Sequence, residues 1–105
     1  MAWIYLFVAG LFEIVWAVAL KYSEGFTRLW PAVIVVVAMA ASIFLLSLAL
    51  KVLPLGIAYP IWTGIGAAGT VILGILLFDE SRDILKILFI LMIIAGIVGL
   101  RLVKI

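Results

Sequence analysis

The sequence has no cysteine and no histidine. Disulfides, thiol chemistry and the usual zinc and haem ligands are therefore excluded. Charge is scarce too: 11% of the 105 residues are Asp, Glu, Lys or Arg, against about a quarter in an ordinary soluble domain. The net charge is only +2, and no run of Lys or Arg offers a surface for nucleic acid. Basic residues stand singly at the ends of apolar stretches, where their stems can snorkel to lipid headgroups. Nothing in this composition calls for a metal, a cofactor or an enzymatic site, and none is expected.

What the chain does have is apolar side chain, 70% of its residues. A chain this short has too little polar surface to cover such a core in water. Lipid as solvent removes the problem. Four apolar stretches are bracketed by their punctuation, at about 3–21, 31–50, 57–78 and 84–103. Gly25 breaks the polar and aromatic segment after the first, and Pro31 opens the second. Lys51-Val-Leu-Pro54-Leu-Gly56 and Asp79-Glu-Ser-Arg-Asp83 separate the others, and Arg101 and Lys104 mark the last exit. Each stretch is about 20 residues, enough at 1.5 Å per residue to cross a ~30 Å hydrocarbon core. Runs such as Val33–Ala41 and Ile87–Ala95 do not alternate as barrel strands must. The expectation is an all-α, multi-pass membrane protein of four transmembrane helices in a single domain spanning 1–105. The first stretch is read as a retained helix rather than a signal peptide. It lacks a basic leader, outruns the usual apolar length and contains Glu13.

Short links make successive helices antiparallel. One membrane face then carries Lys51, Arg101, Lys104 and the amino terminus, and the other carries Lys21, Arg28, Arg82 and Lys86. The positive-inside rule finds no bias in that distribution. A chain that inserts in both orientations needs none, although a small difference or an early charge can also decide.

Glu13 lies near the middle of the first stretch. A carboxylate there costs about 2.5 kcal/mol or more, and such residues mark ion and proton pathways. Desolvation disfavours the charged form, so the group holds a proton or a cation but not both. The competing reading is a protonated residue that hydrogen-bonds a neighbouring helix, a task Ser, Asn or Gln would perform more cheaply. Ala9 and Gly10 lie below Glu13 on its helical face, with Trp16 and Ala17 above. Ser42, mid-span in the second stretch, is the better-placed hydroxyl for a buried carboxylate, unless it bonds its own preceding turn. Tyr59, Trp62 and Thr63 share a face of the third stretch, and an aromatic face with one carboxylate suits an organic cation. Gly64, Gly66 and Gly69 in the same stretch permit a kink or close packing, with Gly64 and Gly66 as candidate hinges. Ala95, Gly96 and Gly99 give the fourth stretch small-residue surfaces suited to helix–helix dimerisation.

Together these features resemble the small multidrug resistance family of bacterial and archaeal transporters, over essentially the whole chain. The loop Lys21-Tyr-Ser-Glu-Gly-Phe-Thr-Arg-Leu-Trp-Pro31 and the segment Gly56-Ile-Ala-Tyr-Pro-Ile-Trp-Thr-Gly-Ile-Gly66 carry the resemblance. Gly10-Leu-Phe-Glu13-Ile-Val-Trp16-Ala-Val-Ala-Leu-Lys21, with Ser42, Tyr59 and Trp62, is similar to the guanidinium-exporter subtype. The resemblance implies an antiparallel, dual-topology dimer in the plasma membrane that exchanges protons for a small cationic substrate at paired glutamates. A homodimer is implied first, although some members pair with a paralogue. It also implies that Glu13 binds proton or substrate, and that Trp16, Ser42 and Trp62 form a hydrogen-bond network around it. Gly10, Tyr59 and Thr63 are expected to line the same site. Pro60 departs from the family pattern, which has a small residue there. Broader export of quaternary ammonium compounds, and a non-transporting assembly role for Glu13, are the alternatives.

Overall fold

A computed structural model describes residues 1–103, so Lys104 lies outside the described residues. Four helices follow one another: α1 (Ala2–Tyr22), α2 (Leu29–Ala49), α3 (Leu55–Phe78) and α4 (Ile84–Leu102). All four are long and apolar enough to cross a membrane, and no strand occurs among the described residues. This is an all-α, multi-pass membrane fold.

The helix ends show why the chain turns where it does. After α1, the Ser23 hydroxyl donates to the Leu20 carbonyl at 2.7 Å and accepts from the Phe26 N–H at 3.1 Å. Its carbonyl also takes the N–H groups of Thr27 and Arg28. Glu24, Gly25 and Phe26 all adopt positive φ, so the reversal passes through three left-handed residues, of which only Gly25 does so without steric cost. The α3 helix stops at Asp79, again left-handed, with φ 53°. Asp83 caps α4, its carboxylate accepting from the Leu85 N–H at 2.9 Å.

Both α2 and α3 begin two residues before the stretches read from sequence, which alters the meaning of their prolines. Pro31 falls at the third position of α2, still in the first turn, where its missing N–H has no helical partner to lose. Pro60 is therefore the sixth residue of α3 and not the fourth, so the N–H it lacks would have bonded the Gly56 carbonyl. Gly56 is exposed near the helix start, where interfacial water can satisfy the freed oxygen.

The bundle is a slab, 43 × 34 × 16 Å, little more than one helix thick in its short direction. Helix α1 packs closely on both α2 and α3, α2 and α3 barely meet, and α4 rests on α3. Completely buried Ala9, Ala49 and Ala58 allow that approach, and Leu6, Leu46, Leu53 and Ile61 fill the space between them. Large apolar side chains such as Phe44 and Val36 point outward, as lipid permits. Arg101 sets its guanidinium over the Trp3 ring, 4.4 Å from the centroid, at one end of the slab.

Candidate functional site

The site grows from the α1–α3 crossing, which small residues make close. A β-carbon on Gly10 would lie 2.7 Å from the Ile65 side chain, and one on Gly69 would collide with Ile14. Between these contacts Gly66 faces Glu13. A β-carbon there would sit 2.6 Å from Glu13 Oε2 and 3.1 Å from its Cβ. The absence of a side chain at 66 is thus what seats the carboxylate against the α3 backbone. Glu13 is partly buried and opens into a cavity of about 160 Å³, lined by Glu13, Trp16, Ala17, Gly66, Ala67 and Thr70. The Thr70 hydroxyl spends its hydrogen on the Gly66 carbonyl, leaving lone pairs for the cavity.

Ser42 stands one helical turn away and is fully buried. Its hydroxyl donates to the Ala9 carbonyl at 2.7 Å and accepts from Trp62 Nε1 at 2.9 Å. The bond is thus neither to the Glu13 carboxylate nor to the serine's own preceding turn. Ala9 precedes Glu13 by four residues, so its carbonyl is the one that accepts the Glu13 backbone N–H in α1. The relay Trp62–Ser42–Ala9 therefore joins α3, α2 and α1 and fixes the backbone that carries Glu13. No hydrogen bond joins the Glu13 carboxylate to another described residue, and Glu13 is one of the residues lining the cavity.

The remaining sequence candidates divide by face. Tyr59 is half-exposed, its ring 5.6 Å from that of Trp62 and tilted by 50°. Thr63 bonds back to the Tyr59 and Pro60 carbonyls at 3.0 and 3.2 Å. Trp16 lines the Glu13 cavity, while Gly10 sits under Ile65 beside it. Gly64 turns away toward α4, where a β-carbon would meet Ile97 at 2.9 Å. Gly64 and Gly66 thus permit close approach on two different sides of α3. Ala95, Gly96 and Gly99 are exposed, and nothing lies within 4 Å of a β-carbon built at Gly96 or Gly99. Sequence reasoning missed Ala67 and Thr70 as lining residues. The signal for Thr70 was its spacing from Gly66, one turn on along α3.

Residues 1–93 match the family model described as Small Multidrug Resistance protein. The chain is 60% identical over 102 residues to a protein of Yersinia pseudotuberculosis serotype I (strain IP32953) named guanidinium exporter, covering 97% of this chain and 98% of that one. A guanidinium exporter of Proteus vulgaris is also 60% identical over 102 residues, with the same coverage. One of Salmonella typhimurium is 54% identical, covering 97% of each chain. A lone carboxylate seated at a helix crossing within four apolar spans, matched nearly end to end by these proteins, places the chain in the small multidrug resistance family of membrane transporters.

Proposed function

We propose that this protein is a proton-coupled antiporter that exports guanidinium and small substituted guanidinium cations across the bacterial cell membrane, with the whole chain acting as one transmembrane domain. The observation that carries the reading is the Glu13 carboxylate, held against Gly66 at the edge of a small cavity and hydrogen-bonded to no described residue. A guanidinium ion is planar and presents paired N–H donors that match a carboxylate bidentately. Trp16 at the cavity wall, with Tyr59 and Trp62 farther along the bundle, adds aromatic surface for a cation. The relatives named guanidinium exporter favour the same substrate class.

Proton and cation compete for one carboxylate. Partial burial disfavours the charged form unless a cation stands beside it, and a protonated Glu13 has no charge to offer one. Loading from one side and release on the other exchange the two ions. The relay from Trp62 through Ser42 to the Ala9 carbonyl keeps Glu13 in register during that exchange. Gly64 and Gly66 supply the flexure of α3.

The functional unit is an antiparallel homodimer. The slab is little more than one helix thick, the open face of α4 around Ala95, Gly96 and Gly99 allows backbone approach, and the basic residues give neither orientation an advantage. Two copies bring two Glu13 carboxylates into one site, which then titrate as a pair.

The test is uptake into proteoliposomes, with and without a pH gradient, of guanidinium, methylguanidinium and a tetraalkylammonium ion. Gradient-driven movement of the first two, lost in Glu13→Gln, is expected. Preference for the tetraalkylammonium would favour a broader exporter. Normal assembly of Glu13→Gln with no cation moved by the wild type would make Glu13 an assembly residue. Accessible-cysteine labelling that finds every copy in one orientation would contradict the dual-topology homodimer and favour a paralogue partner.

A further inference from the structure

The Glu13 cavity does not end at Glu13. It shares Ala17 and Thr70 with a second cavity of about 270 Å³ at the membrane surface, so one groove follows the α1–α3 crossing outward. At its mouth stand Lys21, Phe78, Glu80 and Lys86. Glu80 sits between the two ammonium groups, with Oε2 3.4 Å from Lys21 and Oε1 3.9 Å from Lys86. Its place is fixed by the backbone. Asp79 reverses the chain in the left-handed region, and the Glu80 N–H then closes on the Gly74 carbonyl at 3.3 Å. The carboxylate folds back onto Gly74, where a β-carbon would collide with Oε1 and lie 3.1 Å from Cδ. Gly74 follows Gly66 by about two turns, so the same face of α3 seats two carboxylates with the same device.

Charge gives this geometry a function. Lys21 and Lys86 together repel an approaching cation, and Glu80 is the only carboxylate among the residues lining the mouth. Its bonds to the lysines are partly exposed (Lys21 58%, Glu80 41%, Lys86 31%), so they are weak and exchangeable. A guanidinium binds a carboxylate through two parallel N–H bonds, where an ammonium acts as a point charge, and it can displace Lys21. Lys21 already lies 4.8 Å from the centroid of the Phe78 ring, which shows that a cation fits over that ring. We infer that Glu80 is an outer substrate-binding residue, receiving a guanidinium-class cation at the mouth of the α1–α3 groove on its way to or from Glu13. The assignment rests on the exporter reading and adds a second contact to it.

A plain structural tie between α1 and the α3–α4 link predicts something different, and two variants separate the cases. Initial rates of guanidinium uptake are measured in proteoliposomes of the wild type, Glu80→Gln, Glu80→Asp and Lys21→Gln, at low salt and at about 0.5 M inert salt. Loss of one charge at about 5 Å raises KM at least about fourfold, the bulk-water limit of the Coulomb term. Glu80→Gln is expected to show that rise at low salt with little change in maximal rate, shrinking at high salt. Glu80→Asp should recover part of it, and Lys21→Gln, which removes the competing ammonium, should lower KM. A tie moves both variants the same way, since each breaks it. Changes of the same sign in Glu80→Gln and Lys21→Gln, or an unchanged KM in Glu80→Gln, would overturn the assignment while leaving Glu13 as the transport residue. Wild-type vesicles that move no guanidinium would overturn the exporter reading itself, and this assignment with it.

Discussion

Replacing Gly66 with alanine probes the site through one added methyl group. The new β-carbon would fall 2.6 Å from Glu13 Oε2, 3.1 Å from its Cβ and 3.2 Å from its Cδ. The oxygen can swing away, since it ends a flexible side chain, but the Glu13 β-carbon moves only with α1. Either the carboxylate leaves its seat or the α1–α3 crossing widens. Overpacking of this kind costs about 1–3 kcal/mol, which as lost binding is roughly 5- to 150-fold. Gly66→Ala should therefore raise the guanidinium KM by at least about fivefold in proteoliposome uptake. Gly56→Ala is the control, because nothing lies within 4 Å of a β-carbon there, and its transport should match wild type. Gly66→Ala transporting with an unchanged KM would refute the claim that the bare α3 backbone seats the working carboxylate.

Ser42→Ala removes the donor to the Ala9 carbonyl and strands the Trp62 indole N–H. A loss of about 1–2 kcal/mol in detergent unfolding is expected, toward the upper end for interhelical bonds in membranes. A double-mutant cycle with Trp62→Phe should be non-additive, because both changes break one relay. Gly96→Leu places a large side chain on the open face of α4, so chemical crosslinking in membranes should show weakened self-association while helix content by circular dichroism stays unchanged.

The fold was legible because lipid imposes a length rule on apolar stretches, and the punctuation between them is strong. Helix starts were less so: Leu29 and Leu55 read as linker, yet each joins a helix, because Pro31 sits at the third position of α2 and not its first, and α3 begins directly after Pro54 with Gly56 inside its first turn. Glu13 was legible as a charge in an apolar run. Its seat was not, since Gly64, Gly66 and Gly69 look alike in sequence. Helix rotation alone sends Gly64 to Ile97, Gly66 to Glu13 and Gly69 to Ile14. The Trp62–Ser42 bond connects residues twenty positions apart, and Ser42 completes it on a main-chain carbonyl that no side-chain pattern can announce. The mouth of the groove was hidden for a similar reason. Lys21 and Glu80 are 59 residues apart, and only the left-handed turn at Asp79 brings the carboxylate back over Gly74.

The central claim is that Glu13 holds a proton or a cation but not both. Its most direct test is proton release from purified protein in weakly buffered detergent when guanidinium is added, followed with a pH indicator over a range of starting pH. Release that saturates with guanidinium, fades as the starting pH rises and vanishes in Glu13→Gln is the predicted result. Guanidinium binding by the wild type with no proton released at any pH would contradict it.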